Sequence, residues 1–147
     1  IAALQSLQLP IEIFTSGTPA DTRFAGELFT RAKTLGIKKI ILAPDSVSPQ
    51  QFVSILQAYT CVVASRMHAS IIANAFSIPA IGLVWDEKVR AYYADIQRLE
   101  LCFDLVNFLP EQIADACSNL LRTGGDPLNL DDFRQRALET AHIVLKD

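Results

Sequence analysis

Short apolar runs alternate along this chain with segments whose apolar residues return at helical spacing, and that alternation restricts it to repeated strand–helix units. A first strand is expected over residues 11–15, closed by Ser16-Gly17-Thr18-Pro19. Phe24, Ala25, Leu28, Phe29, Ala32 and Leu35 then share one helical stripe. Asp21 or Thr22 is available to cap that helix, and Gly36 stands where a left-handed C-terminal residue belongs. Residues 39–43 are nearly all apolar and read as a buried parallel strand. Ser48-Pro49-Gln50-Gln51 combines an N-cap serine, a proline at the first helical position and a glutamine three residues after the cap, with Phe52, Ile55, Leu56 and Tyr59 as the inner stripe.

A third strand over 61–64 runs through Ser65-Arg66-Met67 into a helix over 68–76, which is apolar almost all round and therefore expected to be buried. Residues 79–84 form a fourth strand, followed by Trp85-Asp86-Glu87-Lys88 and a helix ending near Asp95. A weaker strand over 101–105 precedes two closing helices. One starts at Pro110 with Ile113, Cys117, Leu120 and Leu121 inward; the other spans 131–146 with Phe133, Ala137, Ala141 and Val144 inward. The turn between them is Thr123-Gly124-Gly125-Asp126-Pro127. The expected architecture is a single α/β domain over residues 1–147, a doubly wound, mostly parallel sheet with helices on both faces.

Composition narrows the function classes. With 147 residues, half of them apolar, the chain can bury a real core and is not disordered. A net charge of -3 argues against nucleic acid or an anionic membrane as partner. The longest greasy stretch, 71–85, is broken by Asn74, Ser77 and Pro79 and falls short of the ~20 apolar residues of a membrane span. Cys61, Cys102 and Cys117 are far apart, without CxxC or Cys/His ligand spacing. Neither a disulfide framework nor a metal site is expected, but three buried thiols in a cytoplasmic, soluble protein. The start at Ile1, with neither Met nor a signal peptide, suggests a piece of a longer protein.

In such a sheet, ligands bind beyond the carboxyl ends of the strands. The candidate loops are 15–21, 44–48, 65–68 and 85–88. No GxGxxG and no GxxxxGK[ST] is present, which weighs against dinucleotide and P-loop binding. The third loop is the informative one. Ser65-Arg66-Met67-His68 joins a buried strand to a buried helix, whose N-terminus offers unpaired backbone N–H groups to an anion. Arg66 adds a planar fork for a carboxylate or phosphate, and His68, in the first turn, can change charge when an anion arrives. The bland alternatives are an Arg that pairs with an acid on a neighbouring loop and a His that only caps its helix. Asp86 and Lys88 lie on the same edge and read equally as an ordinary helix start. His142 falls on the polar side of the last helix, as a solvated bystander.

The stretch from Ala64-Ser65-Arg66-Met67-His68-Ala69-Ser70 through Ser77-Ile78-Pro79-Ala80-Ile81 to Val84-Trp85-Asp86-Glu87-Lys88-Val89 resembles the polysaccharide pyruvyl transferase family. That family carries an R-x-H element, then a small residue–Pro–aliphatic strand, then an aromatic–Asp–x–Lys–Val turn. The clear likeness covers about 62–92. The weaker Asp21-Thr22-Arg23-Phe24-Ala25 stretch looks like the family's opening loop, and beyond Leu101 only the helical pattern agrees. Trp85 stands where Tyr is more usual. The resemblance implies a Rossmann-like domain similar to the C-terminal half of a two-domain, GT-B-like enzyme. Its donor substrate would be phosphoenolpyruvate, with no tightly bound cofactor and no metal, and its product a pyruvate ketal on a saccharide acceptor, free or lipid-linked. By the same resemblance Arg66 and His68 contact phosphoenolpyruvate and carry catalysis, with Ser65, Met67, Trp85 and Lys88 around them, and the partner is a missing N-terminal half without which the fragment is inactive.

Two competing readings stand beside it. One is the nucleotide-sugar-binding half of a GT-B glycosyltransferase, although the wide-spaced E-x7-E pattern of retaining members is absent. The other is a non-catalytic α/β domain that binds a small anion or a partner.

Overall fold

The computed structural model describes residues 1–46 and 48–124. The expected helix over 131–146, with His142, lies outside them, as does all of the 123–127 turn beyond Gly124. Among the described residues the strands are β1 (Ile11–Ile13), β2 (Ile40–Leu42), β3 (Val62–Ala64), β4 (Ala80–Val84) and β5 (Cys102–Asp104). They alternate with helices α1 (Pro19–Thr34), α2 (Pro49–Gln57), α3 (Met67–Ala75), α4 (Glu87–Asp95) and α5 (Pro110–Thr123).

Every strand pairing is parallel, as the alternating pattern requires. The expected single sheet is divided, however. β1 pairs with β2, and a separate ladder runs β3–β4–β5 with β4 in the middle. The α/β class holds; one continuous hydrogen-bonded sheet does not. The second ladder is covered on both faces because its residues alternate in direction. Ala80, like Val62 and Ala64, packs into a cluster with Phe52 and Leu56 of α2 and Ala69 and Ala73 of α3. Val84 meets Val89, Tyr92 and Tyr93 of α4. Ile81 and Leu83 point the other way, toward Ile113 and Cys117 of α5 and Leu4 and Leu7 of a 3-10 segment, Ala2–Leu7. That segment carries no strong periodicity and was not legible beforehand.

Local chemistry sets the helix boundaries. Ser48 caps α2 by accepting from the Gln51 N–H at 3.2 Å, with Pro49 first in the helix, as expected. At α1 the expectation fails by a few residues. Thr18, not Asp21 or Thr22, is the cap, its hydroxyl accepting from the Asp21 N–H, so the helix starts at Pro19 and Asp21 lies in its first turn. Gly36 does take the positive φ of 77° that ends this helix.

Three burial expectations are corrected. β2 is not a buried strand: Ile41 is 51% exposed and Leu42 40%, because β2 has a neighbour on one side only. Phe24 and Leu35 lie on the outside of α1. Of the three thiols only Cys117 is buried; Cys61 and Cys102 are partly accessible. No helix among the described residues is long and apolar enough to cross a membrane.

Candidate functional site

The loops that follow β1, β3 and β4 meet at one edge, and the contacts among their side chains define the site. Arg66 is the N-cap of α3, but its side chain caps nothing. Its Nη2 instead donates to Asp21 Oδ1 at 2.7 Å, across 45 positions of sequence. The guanidinium also lies over the Trp85 ring, 5.1 Å from the ring centre, a cation–π distance. The indole N–H of Trp85 donates to the Ser65 carbonyl at 2.8 Å, immediately before Arg66. Arg66, Trp85 and Ser65 thereby close a ring, and Asp21 joins it through Arg66, so that the segments after β1, β3 and β4 are tied together.

The loop after β2 joins through Thr22, whose hydroxyl donates to Asp45 at 3.2 Å. Asp21 is itself held from behind, with Ser16 Oγ donating to its Oδ2 at 3.1 Å. The Arg66 hydrogen bond is the main reason the Asp21 carboxyl titrates below its ordinary value, aided by Thr18 and Ser16 and opposed by partial burial. Reciprocally, Asp21 raises the Arg66 guanidinium, which stays charged throughout.

The helix that presents Arg66 and His68 is fixed from inside. Ser70 and Asn74 are its buried polar residues. Tyr93 donates its hydroxyl to Ser70 Oγ at 3.2 Å, and Asn74 Nδ2 donates to the Tyr92 hydroxyl at 2.9 Å. α3 and α4 are thus locked by two hydrogen bonds in a low-dielectric interior. Gly82 of β4 makes this possible, since a Cβ there would run into the Tyr93 ring.

Ser65, Arg66, His68, Trp85 and Lys88 are all exposed, on the edge where ligands bind in sheets of this kind. Met67 differs: it is half-buried and packs against the cluster of Val84, Val89, Tyr92 and Tyr93. Asp86 caps α4, accepting from the Lys88 N–H at 3.0 Å. The acids of this edge are engaged: Asp21 with Arg66, Asp45 with Thr22, and Glu87 with Arg90 at 3.3 Å. The side chains of His68 and Lys88 form no hydrogen bond or ion pair among the described residues. Arg66 spends one of its five N–H donors on Asp21. The edge therefore presents two cationic donors and an imidazole to solvent, which suits a small anion bearing more than one acidic group. Among the described residues no group of His, Cys, Asp and Glu gathers in a way that could hold a metal ion.

Spacing within the third loop found Arg66 and His68. It missed Asp21 as the partner of Arg66; the only sequence signals were the acid in the Asp21-Thr22-Arg23 stretch and the general tendency of a junction arginine to find a neighbouring carboxylate.

No curated protein and no solved structure matches the chain significantly. Residues 17–87, just under half of the chain, match the family described as polysaccharide pyruvyl transferase. The match takes in Asp21, all of the Ser65 to His68 loop and Trp85, and stops just short of Lys88. The segment that builds this edge is thus similar to the polysaccharide pyruvyl transferase family.

Proposed function

We propose that the edge built by Arg66, His68, Trp85 and Lys88 is the phosphoenolpyruvate subsite of a pyruvyl transferase that forms a ketal on a saccharide. The single observation that carries this reading is the solvent-open grouping of an arginine fork and a histidine at the start of α3, inside the family-matching segment. Phosphoenolpyruvate carries a carboxylate and a phosphate on one small skeleton, and the available donors suit both. Arg66 anchors one anionic group through its free N–H donors, the first-turn backbone N–H groups of α3 meet the other, and Lys88 offsets the remaining charge. Trp85 forms an aromatic wall under the guanidinium.

Ketal formation adds a proton to the methylene carbon of the enol phosphate, leaving C2 electron-poor. One sugar hydroxyl attacks C2, phosphate departs with its C–O electron pair, and a second hydroxyl closes the ring, each hydroxyl releasing its proton. His68 delivers the first proton or meets the departing phosphate. Arg66 holds the charge that grows on the leaving group. The exposed edge also suits a cleft closed by a second domain, with this one as the C-terminal half of a two-domain enzyme working in the cytoplasm, where phosphoenolpyruvate is made.

The test is phosphate release from phosphoenolpyruvate by the full-length enzyme with its acceptor. His68→Ala is expected to lower kcat by roughly 10²–10⁴-fold, the usual worth of a positioned proton donor. Arg66→Ala is expected to raise KM for phosphoenolpyruvate by at least about tenfold, the loss of a charged hydrogen bond. Activity of His68→Ala within about threefold of wild type would end the proton-donor role.

A further inference from the structure

Arginine is a long side chain, and fixing it in one geometry costs up to about 2 kcal/mol of rotamer entropy. An exposed arginine that must seize a small anion normally meets that cost on binding, and affinity falls accordingly. Arg66 is 46% exposed at its side chain, yet it is already held at two points, by Asp21 and by the Trp85 ring. The holding groups are themselves held. Asp21 accepts from Arg66 on one oxygen and from Ser16 on the other, and its backbone N–H is bonded to the Thr18 hydroxyl. Trp85 is fixed by its bond to the Ser65 carbonyl. Neither contact is a cap of α3, since the Arg66 side chain makes no cap bond there.

We infer that Asp21 is a positioning residue of the pyruvyl-transfer site: its carboxylate presets the Arg66 guanidinium to receive the anionic donor substrate. This rests on the proposed phosphoenolpyruvate subsite. The geometry separates the role from its opposite, in which Asp21 would occupy the anion's own place and compete with it. The 2.7 Å contact engages Nη2 alone, an end-on pairing that leaves the rest of the fork unspent, while the second carboxylate oxygen is turned to Ser16. A carboxylate or phosphate that fills the fork is frequently held by two guanidinium N–H groups side by side. Asp21 therefore exchanges some favourable charge at the site for orientation, and orientation is what substrate-positioning contacts supply.

The experiment compares wild type, Asp21→Ala and Asp21→Asn in the full-length enzyme, by calorimetric binding of phosphoenolpyruvate and by steady-state kinetics with acceptor. Asp21→Ala should raise both Kd and KM for phosphoenolpyruvate about tenfold, with kcat within about threefold, the signature of lost binding rather than lost chemistry. Asp21→Asn keeps an oxygen acceptor at the same place and should recover part of that loss, a rescue that general loosening of α1 would not give. Should the alanine variant fail to fold, the asparagine variant carries the test, with KM raised at least about threefold and a melting temperature within ~4 °C of wild type. Unchanged or tighter phosphoenolpyruvate binding in both variants overturns the positioning role while leaving the subsite intact. A wild-type enzyme that neither binds nor consumes phosphoenolpyruvate overturns the subsite reading, and the role of Asp21 with it.

Discussion

The two parallel ladders of this domain are built to different standards. β4 has a strand on each side and helices over both faces, and four of its five residues are buried. β2 has one neighbour and buries only Ile40 of its three. The first ladder to be made in the chain is thus a thin layer closed mainly by α1, while the second is a packed interior. The functional edge uses both. The packed half holds Arg66, His68, Trp85 and Lys88 on elements locked by buried tyrosines, and the thin half contributes Asp21 through a polar contact at the surface, while Asp45 accepts from Thr22 within that half. The candidate side chains sit mostly on the packed half, and the thin half is joined to it both by the exposed Asp21–Arg66 bond and by Phe14, next to β1, which packs against Phe52 and Tyr59.

The same substitution placed in each half should separate them most widely. Gly82 lies under the Tyr93 ring, so Gly82→Ala forces an aromatic side chain out of a buried site and is expected to destabilise by about 1–3 kcal/mol. Gly26, in α1, has nothing within 4 Å of where a Cβ would stand. Gly26→Ala should instead stabilise by about 0.5–1 kcal/mol, since alanine loses less backbone entropy in a helix. Urea denaturation of both variants reads the contrast directly. Equal effects of one sign would mean that the two halves do not differ in packing as described.

A smaller change probes the lock itself. Tyr93→Phe keeps the ring against Gly82 and deletes only the hydroxyl bonded to Ser70, a side chain that is fully buried. Leaving that serine without its partner is expected to cost about 1–2 kcal/mol. Because Ser70 is on the helix that opens with Arg66 and His68, the variant should also raise KM for phosphoenolpyruvate modestly. A neutral denaturation curve would show that the α3–α4 contact is held by apolar packing alone.

How legible these features were depends on the range of the interaction that makes them. The Ser48 cap, Pro49, the turn at Gly36 and the start of α4 at Asp86 depend on residues within a few positions of each other, and the sequence shows them directly. The R-x-H loop was legible for the same reason, as a strand end handing over to a helix start. Exposure of Ile41 and Leu42 was not, since an apolar run looks alike whether its strand is central or at an edge, and only the pairing of distant segments decides which. Thr18 displaced Asp21 as the cap because Pro19 set the first helical residue, and Asp21 was thereby turned toward Arg66. The Asp21–Arg66 bond spans 45 positions between the two ladders, and the tyrosine lock depends on Gly82, a residue whose value lies in the atom it lacks.

The smallest expected effect tests whether the bond between the halves contributes to folding at all. Asp21 has its folded-state titration pulled below the ordinary carboxylate value of 3.8, chiefly by Arg66. A group shifted downward stabilises the fold above its unfolded value, and that contribution is lost as pH falls through the lower, folded one. The stability gap between wild type and Asp21→Asn should therefore be largest near neutral pH and shrink below about pH 4. With Arg66 nearly half exposed, solvent screens the pair, and the gap should not exceed about 1 kcal/mol at low salt and should narrow further at high salt. A gap that persists unchanged into acid would assign the effect of Asp21 to the first turn of α1 rather than to Arg66. A gap that closes with acid while phosphoenolpyruvate binding stays dependent on Asp21 at neutral pH would show the bond to be weak as a fastening and strong as an aim, which is the division of labour the two ladders imply.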